Sequence, residues 1–124
     1  MSRVSALRGA TTIRSNDAAA VVGATEELLQ ALMDRNAIRS EEIISVLFTA
    51  TPDVTAEFPA AAARRMGLSD VPLMCAVEMD VPGAVPRCIR VLMHVGSDRA
   101  RNELEDVYLH EATGLRARAA EAEP

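Results

Sequence analysis

The sequence contains no lysine and no tryptophan, and Phe48, Phe58 and Tyr108 are its only aromatic residues. Without lysine there is no side-chain amine for a Schiff base or for a lysine general base. All 13 basic residues are arginines, which keep their charge in proteins. The net charge is −5, and no basic block alternates with aromatic residues, so we expect no nucleic-acid partner.

Cysteine and histidine are also scarce, with Cys75, Cys88, His94 and His110 as the only representatives. They do not cluster in the sequence, and a zinc site needs three or four convergent ligands, so we expect no metal. The chain shows no export signal, and no apolar run reaches the ~18 residues of a membrane helix. These features predict reduced thiols in a cytoplasmic protein without a membrane segment.

The length of 124 residues is typical of one domain, which we place at residues 1–116, followed by a charged, flexible tail at 117–124. Apolar residues make up 49% of the chain, but many of them are alanines and few are aromatic. The resulting core is thin, and this favours oligomerisation as a way to bury more apolar surface.

The first third of the chain predicts a strand followed by a long helix. The strand covers residues 3–13, and Gly9 interrupts it, as at a bulge or a close backbone approach. Ser15 or Asn16 is suited to cap the helix, which ends near Asn36. Its apolar stripe, spaced by three and four residues, consists of Val21, Val22, Thr25, Leu28, Leu29, Leu32 and Met33.

The remainder alternates short strands with little helix. A continuous apolar run at 43–49, after a capped turn at 40–42, indicates a strand covered on both faces. A helix at 59–66, strands at 73–79 and 88–95, helical turns within 98–106 and a short strand at 107–110 follow. This order predicts an α+β fold (α/β-type) with one mixed sheet and its helices on one face. The other face needs a covering, and a neighbouring subunit is the simplest candidate.

Charged residues interrupt the two strands predicted after residue 72. Glu78 and Arg90 lie in or beside apolar runs, near Cys75 and Cys88. Burying such charges is costly unless they are paired or bind a ligand. A structural ion pair between neighbouring strands and a ligand site both satisfy this pattern.

Seven separated segments resemble the monofunctional chorismate mutases of the AroH class, in order and at nearly the same spacing. They are Arg8-Gly9-Ala10-Thr11-Thr12, Ala50-Thr51-Pro52-Asp53, Phe58-Pro59-Ala60, Val71-Pro72, Cys75 with Glu78-Met79-Asp80-Val81, Cys88-Ile89-Arg90-Val91 and Val107-Tyr108-Leu109. The resemblance extends over residues 7–116. Two positions depart from it: Ala61 stands where relatives often carry lysine, and Met74 stands where threonine is common.

The resemblance implies a homotrimer of pseudo-α/β-barrel type with active sites in the clefts between subunits. Its members convert chorismate to prephenate, the branch step toward phenylalanine and tyrosine, by a Claisen [3,3]-sigmatropic rearrangement. This reaction uses no cofactor and no covalent intermediate. The physical demands are fixed cations for two carboxylates, a compact substrate conformer and stabilisation of the charge that develops on the ether oxygen.

The resemblance also implies roles for individual residues. Arg90 takes the central, catalytic position beside the ether oxygen and one carboxylate. Glu78 accepts a hydrogen bond from the substrate hydroxyl and holds Arg90, without acting as a base, because no proton moves in the rearrangement. Arg8 and Tyr108 bind carboxylates, although a solvated Arg8 and a core Tyr108 are the alternatives.

Further positions carried over from the family form the wall and mouth of the pocket. Phe58 is expected as an apolar wall, and Cys75 lines the pocket and is not a nucleophile. Cys88 is expected in the core. The remaining contacts expected on this basis are Arg64, Met74, Ala76, Val77, Leu115 and Arg116, with Arg64 and Arg116 as surface residues in the alternative.

Two other functions remain open at this point. One is a non-catalytic trimeric protein that holds a small carboxylate on the same fold, and the other is a deaminase of reactive imines with a related fold. The simultaneous presence of Arg8, Glu78, Arg90 and Tyr108 favours the enzyme over the binding protein.

Overall fold

The computed structural model describes residues 3–115, and these residues form a five-stranded mixed sheet with two main helices, while residues 113–115 are also helical. The elements are β1 (Arg3–Thr12), α1 (Ala18–Arg35), β2 (Ile43–Ala50), α2 (Ala60–Arg65), β3 (Leu73–Val77), β4 (Cys88–Ser97) and β5 (Val107–Tyr108). The strand order is β3-β2-β4-β1-β5. Strand β4 runs antiparallel to both β1 and β2, whereas β3 and β5 pair in parallel at the edges. The α+β fold predicted from the sequence is confirmed.

One face of the sheet packs against the helices, and Gly9 makes this contact possible. Gly9 of β1 lies opposite Val91 of β4, which lies opposite Phe48 of β2, and all three are buried. A Cβ atom at Gly9 would lie 2.9 Å from Leu32 Cδ1 and 3.0 Å from Leu28 Cδ1 of α1. The missing side chain therefore lets α1 lie directly on the sheet, as the close backbone approach predicted at this position requires.

The opposite face of the sheet carries half-exposed and polar side chains. Phe48 and Ala50 of β2 are buried, but Leu47 and Thr49, which alternate with them, are only half-buried. The prediction that this strand is covered on both faces is therefore wrong for the described chain. Both helices contribute to the core on the other side of the sheet, so neither α1 nor α2 packs on the second face of β2.

Helix α1 begins one residue later than its predicted caps. Asp17 is the N-cap, and its carboxylate accepts a hydrogen bond from the Ala20 amide at 2.8 Å. Hydrogen bonds from the Ser15 hydroxyl and from the Ala20 amide lower the pKa of Asp17. Asn16 instead accepts hydrogen bonds from the backbone of Thr55 and Ala56, and so fixes the loop that precedes α2.

The predicted end of α1 at Asn36 is confirmed, and this residue also links the helix to the end of the chain. Asn36 is 1% exposed. Its side-chain amide donates to the carbonyl oxygens of Leu32 and Glu105, and its amide oxygen accepts from the Glu105 backbone at 2.8 Å. These bonds hold the segment immediately before β5 against the helix.

Several boundaries differ from the predictions. Strand β3 ends at Val77 and not at residue 79, β4 continues to Ser97, and α2 is shorter than expected. The helical turn within 98–106 is a 3₁₀ turn at Arg101–Glu103, and β5 stops at Tyr108, before another 3₁₀ turn at His110–Ala112. The tail predicted at 117–124 lies outside the described residues.

The contact at Gly9 gives a stability prediction with an internal control. Gly9→Ala should lower the free energy of unfolding by ~1–3 kcal/mol, because the added methyl group forces Leu28 and Leu32 to move. Gly23→Ala, in an exposed position of α1 with no atom within 4 Å of the new Cβ, should raise it by ~0.5–1 kcal/mol. Urea unfolding of both variants measures the difference, and equal stabilities would contradict the packing described here.

Candidate active site

An ion pair between Arg90 and Glu78 lies on the face of the sheet opposite the helices. Arg90 is in β4, and Glu78 is the first residue after β3, where its amide still donates to the Ala50 carbonyl at 2.9 Å. This backbone bond extends the pairing with β2 and brings the carboxylate toward the sheet centre. Arg90 Nε lies 3.0 Å from Glu78 Oε2.

Thr49 of β2 completes this arrangement. Thr49 lies directly opposite Arg90 in the β2–β4 register, and its hydroxyl donates to Glu78 Oε2 at 2.7 Å. The Glu78 side chain is only 16% exposed, so both interactions compensate a partly desolvated carboxylate. Arg90 remains 48% exposed, and no second carboxylate among residues 3–115 forms an ion pair with it.

A second arginine, Arg8 of β1, is held by Asp106. The Arg8 backbone amide donates to Asp106 Oδ1 at 2.8 Å, and the Arg8 side chain donates from Nε to Oδ2 at 3.2 Å. Arg8 is exposed and Asp106 is half-buried. The carboxylate therefore orients the guanidinium at the rim of the sheet without enclosing it.

These residues line two cavities, whose linings share Thr49, Arg90 and Leu115. We call the two cavities together the sheet groove. The first cavity, of about 360 Å³, is lined by Arg8, Thr49, Arg90, Tyr108 and Leu115, among others. The second, of about 630 Å³, adds Glu78 to its lining. The groove thus brings together five of the predicted site residues, which are Arg8, Glu78, Arg90, Tyr108 and Leu115.

A third cavity, of about 440 Å³, lies at the β3 edge of the sheet and is called here the edge cleft. Phe58, Cys75, Ala76 and Val77 line it, and Thr49 borders it as well as the groove. Phe58 is 66% exposed, which is unusual for a large apolar side chain. The predicted site residues are therefore divided between the groove and the edge cleft of one chain.

Two predicted contacts, Arg64 and Met74, do not join either set. Arg64 lies exposed in α2, on the helix side of the sheet, and Met74 is largely exposed on β3. Neither residue lines the groove or the edge cleft. Arg116 lies outside the described residues.

The two cysteines differ in their surroundings. Cys75 pairs with Phe48 in register and packs against the main core while bordering the edge cleft. Cys88 is buried with Ala10 and Ala112, as predicted for a core residue. Burial raises the pKa of the Cys88 thiol to about 11, an effect larger than the opposing influence of the Arg90 cation.

A larger cavity among the described residues lies elsewhere. It has a volume of about 930 Å³ and is lined by Arg14, Glu27, Arg87 and His110, among others. Two of its basic side chains have partners already, since Arg87 Nε donates to the Ile13 carbonyl and His110 contacts Glu27 at 2.7 Å. Size alone therefore does not identify the site.

Sequence reasoning missed Thr49 and Asp106. Thr49 stands in an apolar strand, where a threonine is an ordinary β-branched residue, and only the register places its hydroxyl beside Glu78 and Arg90. Asp106 follows an acidic segment and is not part of any recognisable sequence motif. Its partner Arg8 is 98 residues away in the sequence, and no local pattern predicts that contact.

Within residues 3–115, no three histidine, cysteine or acidic side chains converge in a way that could hold a metal ion. Among the same residues, no helix combines the length and the apolar character needed to cross a membrane.

Comparison with known proteins places this chain in a family. A model of the family described as chorismate mutase type I matches residues 4–119. The chain is similar to "Chorismate mutase AroH" of Thermus thermophilus, with 45% identity over 91% of this chain and 93% of the relative. It is also 38% identical to "Chorismate mutase AroH" of Bacillus subtilis (strain 168), over 89% of this chain and 87% of that one.

The three-dimensional comparison agrees. A solved chorismate mutase from Clostridium thermocellum superposes with a TM-score of 0.88 and 44% identity, covering 89% of this chain and 98% of that structure. The fold and the groove thus define a small α+β protein with two arginines, Arg8 and Arg90, on one open sheet face. The chain belongs to the type I chorismate mutase family.

The two thiols should differ in reactivity. At pH 8 a thiol with a pKa of about 11 is ionised to only ~0.1%, and Cys88 is also shielded from reagents. We expect iodoacetamide to modify Cys75 first, and Cys88 only after denaturation. Mass spectrometry of proteolytic peptides measures both sites, with Cys75→Ser as the control, and rapid native labelling of Cys88 would contradict its burial.

Proposed function

We propose that this chain isomerises chorismate to prephenate and that the reaction takes place in the sheet groove. The observation that carries the proposal is the placement of Arg90, Glu78, Arg8 and Tyr108 around one groove on the sheet face opposite α1 and α2. Chorismate carries two carboxylates, a hydroxyl and an ether bridge. The groove offers two permanent cations, a carboxylate and a phenol for these groups.

Arg90 is proposed as the catalytic residue. Its contact with Glu78 uses Nε, and the half-exposed guanidinium has further N–H groups for a ligand. A planar fork can donate to the ether oxygen and to a substrate carboxylate at the same time. Because the ether oxygen gains negative charge as the C–O bond breaks, these donors stabilise the transition state more than the substrate.

Glu78 is proposed to bind the substrate hydroxyl and to orient Arg90. The rearrangement moves no proton, so this carboxylate is needed as an acceptor and not as a base. Arg8, held by Asp106, and Tyr108 are proposed to bind carboxylates and to keep the substrate in its folded conformer. Fixing that conformer removes an entropic barrier that free chorismate must overcome.

The complete site is proposed to form between subunits of a homotrimer. The sheet face opposite α1 and α2 is partly open, and large apolar side chains are exposed beside it, with Phe58 66% exposed at the edge cleft and Met79 84% exposed in the groove. Such a surface is typical of an interface. We propose that the edge cleft of one subunit, with Phe58, adjoins the groove of its neighbour, and that Arg64 and Arg116 attract the dianion at the mouth.

The wall of the pocket is proposed to consist of Cys75, Met74, Ala76 and Val77, with no nucleophilic role for Cys75. Both cysteines are free thiols, which supports a cytoplasmic location. A non-catalytic carboxylate-binding protein is not favoured, since the relatives and the solved neighbour are named as mutases.

The direct test follows the absorbance of chorismate after addition of purified protein, with prephenate identified by its acid-catalysed conversion to phenylpyruvate. We expect complete loss of chorismate at micromolar protein without added metal or cofactor. Persistence of chorismate under these conditions would refute the proposed function.

Removing the Arg90 cation should lower the turnover number at saturating chorismate by at least about two orders of magnitude, the effect of losing one such donor. Arg90→Lys should recover only part of this loss, because an ammonium lacks the planar fork. Arg101→Ala, which removes an exposed cation from a 3₁₀ turn, is the matched control. A higher KM for Arg90→Ala with an unchanged turnover number would mean that Arg90 only binds substrate.

The assembly can be tested by mass and by mixing. Light scattering should give three times the 13.3 kDa of one chain, and a monomer at micromolar concentration would contradict the proposed interface. Phe58→Asp and Arg90→Ala are each expected to be inactive. After they are unfolded and refolded together, about one quarter of the interfacial sites should be intact, by random assortment in a symmetric ring. No recovery would mean that both residues belong to one subunit's site.

A further inference from the structure

Resting on the function proposed above, we propose that Thr49 is a positioning residue of the mutase site. It holds the Glu78 carboxylate so that oxygen Oε1 is presented to the substrate hydroxyl. Neither the family resemblance nor the sequence pattern assigns a role to this threonine. The two oxygens of the Glu78 carboxylate differ in their contacts with Thr49 and Arg90.

Two donors converge on the same oxygen of Glu78. The Thr49 hydroxyl donates to Oε2 at 2.7 Å, and Arg90 Nε lies 3.0 Å from that oxygen. Oε1 has no hydrogen bond or ion pair with any described residue. A carboxylate held by two donors at one oxygen keeps its other oxygen in a defined direction, and that oxygen has lone pairs available for a ligand.

The strand geometry aims the threonine hydroxyl. Thr49 is directly opposite Arg90 in β4 and opposite Ala76 in β3, so it stands between the strand that carries the cation and the one that leads to the carboxylate. Its β-branched side chain has few χ1 rotamers in a strand. The hydroxyl is therefore preorganised, and the residue borders the groove and the edge cleft together.

Loss of the Thr49 hydroxyl should affect two groups at once. Glu78 would keep a single anchor, through Arg90, and its carboxylate could rotate about that contact. Arg90 in turn would lose a fixed partner, and its alignment with the ether oxygen would become less defined. A small misplacement of such groups reduces transition-state stabilisation more than binding.

The experiment compares Thr49→Val, Thr49→Ser and a control substitution of the same chemical kind. Thr49→Val keeps the shape but removes the donor, and we expect the turnover number to fall about tenfold, equivalent to about 1.4 kcal/mol, with KM changed less than about twofold. Thr49→Ser retains the donor and should stay within about threefold of the wild type. Thr11→Val is the control, since the buried Thr11 hydroxyl has no partner among the described residues.

A double-mutant cycle separates positioning from general structural damage. If Thr49 acts through Glu78, Thr49→Val should have little further effect, less than about twofold, in a Glu78→Ala background. An undiminished tenfold effect in that background, or a normal turnover number for Thr49→Val alone, would overturn the inference. Unfolding curves identify any variant that lost activity through loss of stability.

Failure of this inference is distinguishable from failure of the proposed function. A wild-type protein that leaves chorismate unchanged refutes the function itself. An active wild type with a fully active Thr49→Val variant refutes only the role of Thr49.

Discussion

The confinement of both helices to one face of the sheet is the constraint on which the other features depend. Gly9 allows α1 to contact the backbone of β1, and most of the large apolar side chains of β1, β2 and β4 pack in that single layer. Alternate residues of the same strands must then face away from the core. Arg8, Thr49 and Arg90 share that second face because the strand registers align them, and the groove results from this alternation.

The Glu78 carboxylate shows how such a face tolerates charge. It is mostly sheltered from water, and an isolated carboxylate there would be costly. One cation and one hydroxyl compensate it, while Arg90 itself stays half-exposed. The arrangement resembles a structural ion pair in its contacts but differs in its exposure, because a purely structural pair has no reason to leave a groove beside the cation.

Elements with a clear periodicity or a breaker were predictable from the sequence, and pairings between distant strands were not. The stripe of α1, the apolar runs of β2 and β4 and the end at Asn36 agree with the structure, since each depends on local spacing. The helix is capped by Asp17 and not by Asn16, because the Asn16 side chain binds a distant loop. For the site, the family motif supplied Arg90 and Glu78, whereas Thr49 and Asp106 became visible only through the strand register and a long-range contact.

The buried side chain of Asn36 has a consequence for how ligand binding and local unfolding are connected. Its amide holds Glu105 against the end of α1, and the next residue, Asp106, holds Arg8 at the rim of the groove. A ligand bound by Arg8 is thus connected to the last turn of α1, on the opposite side of the sheet. The connection runs through Arg8, Asp106, Glu105 and Asn36. Ligand binding in the groove should then slow amide hydrogen exchange at the end of α1. The exchange rate of these interior amides therefore measures binding at the surface.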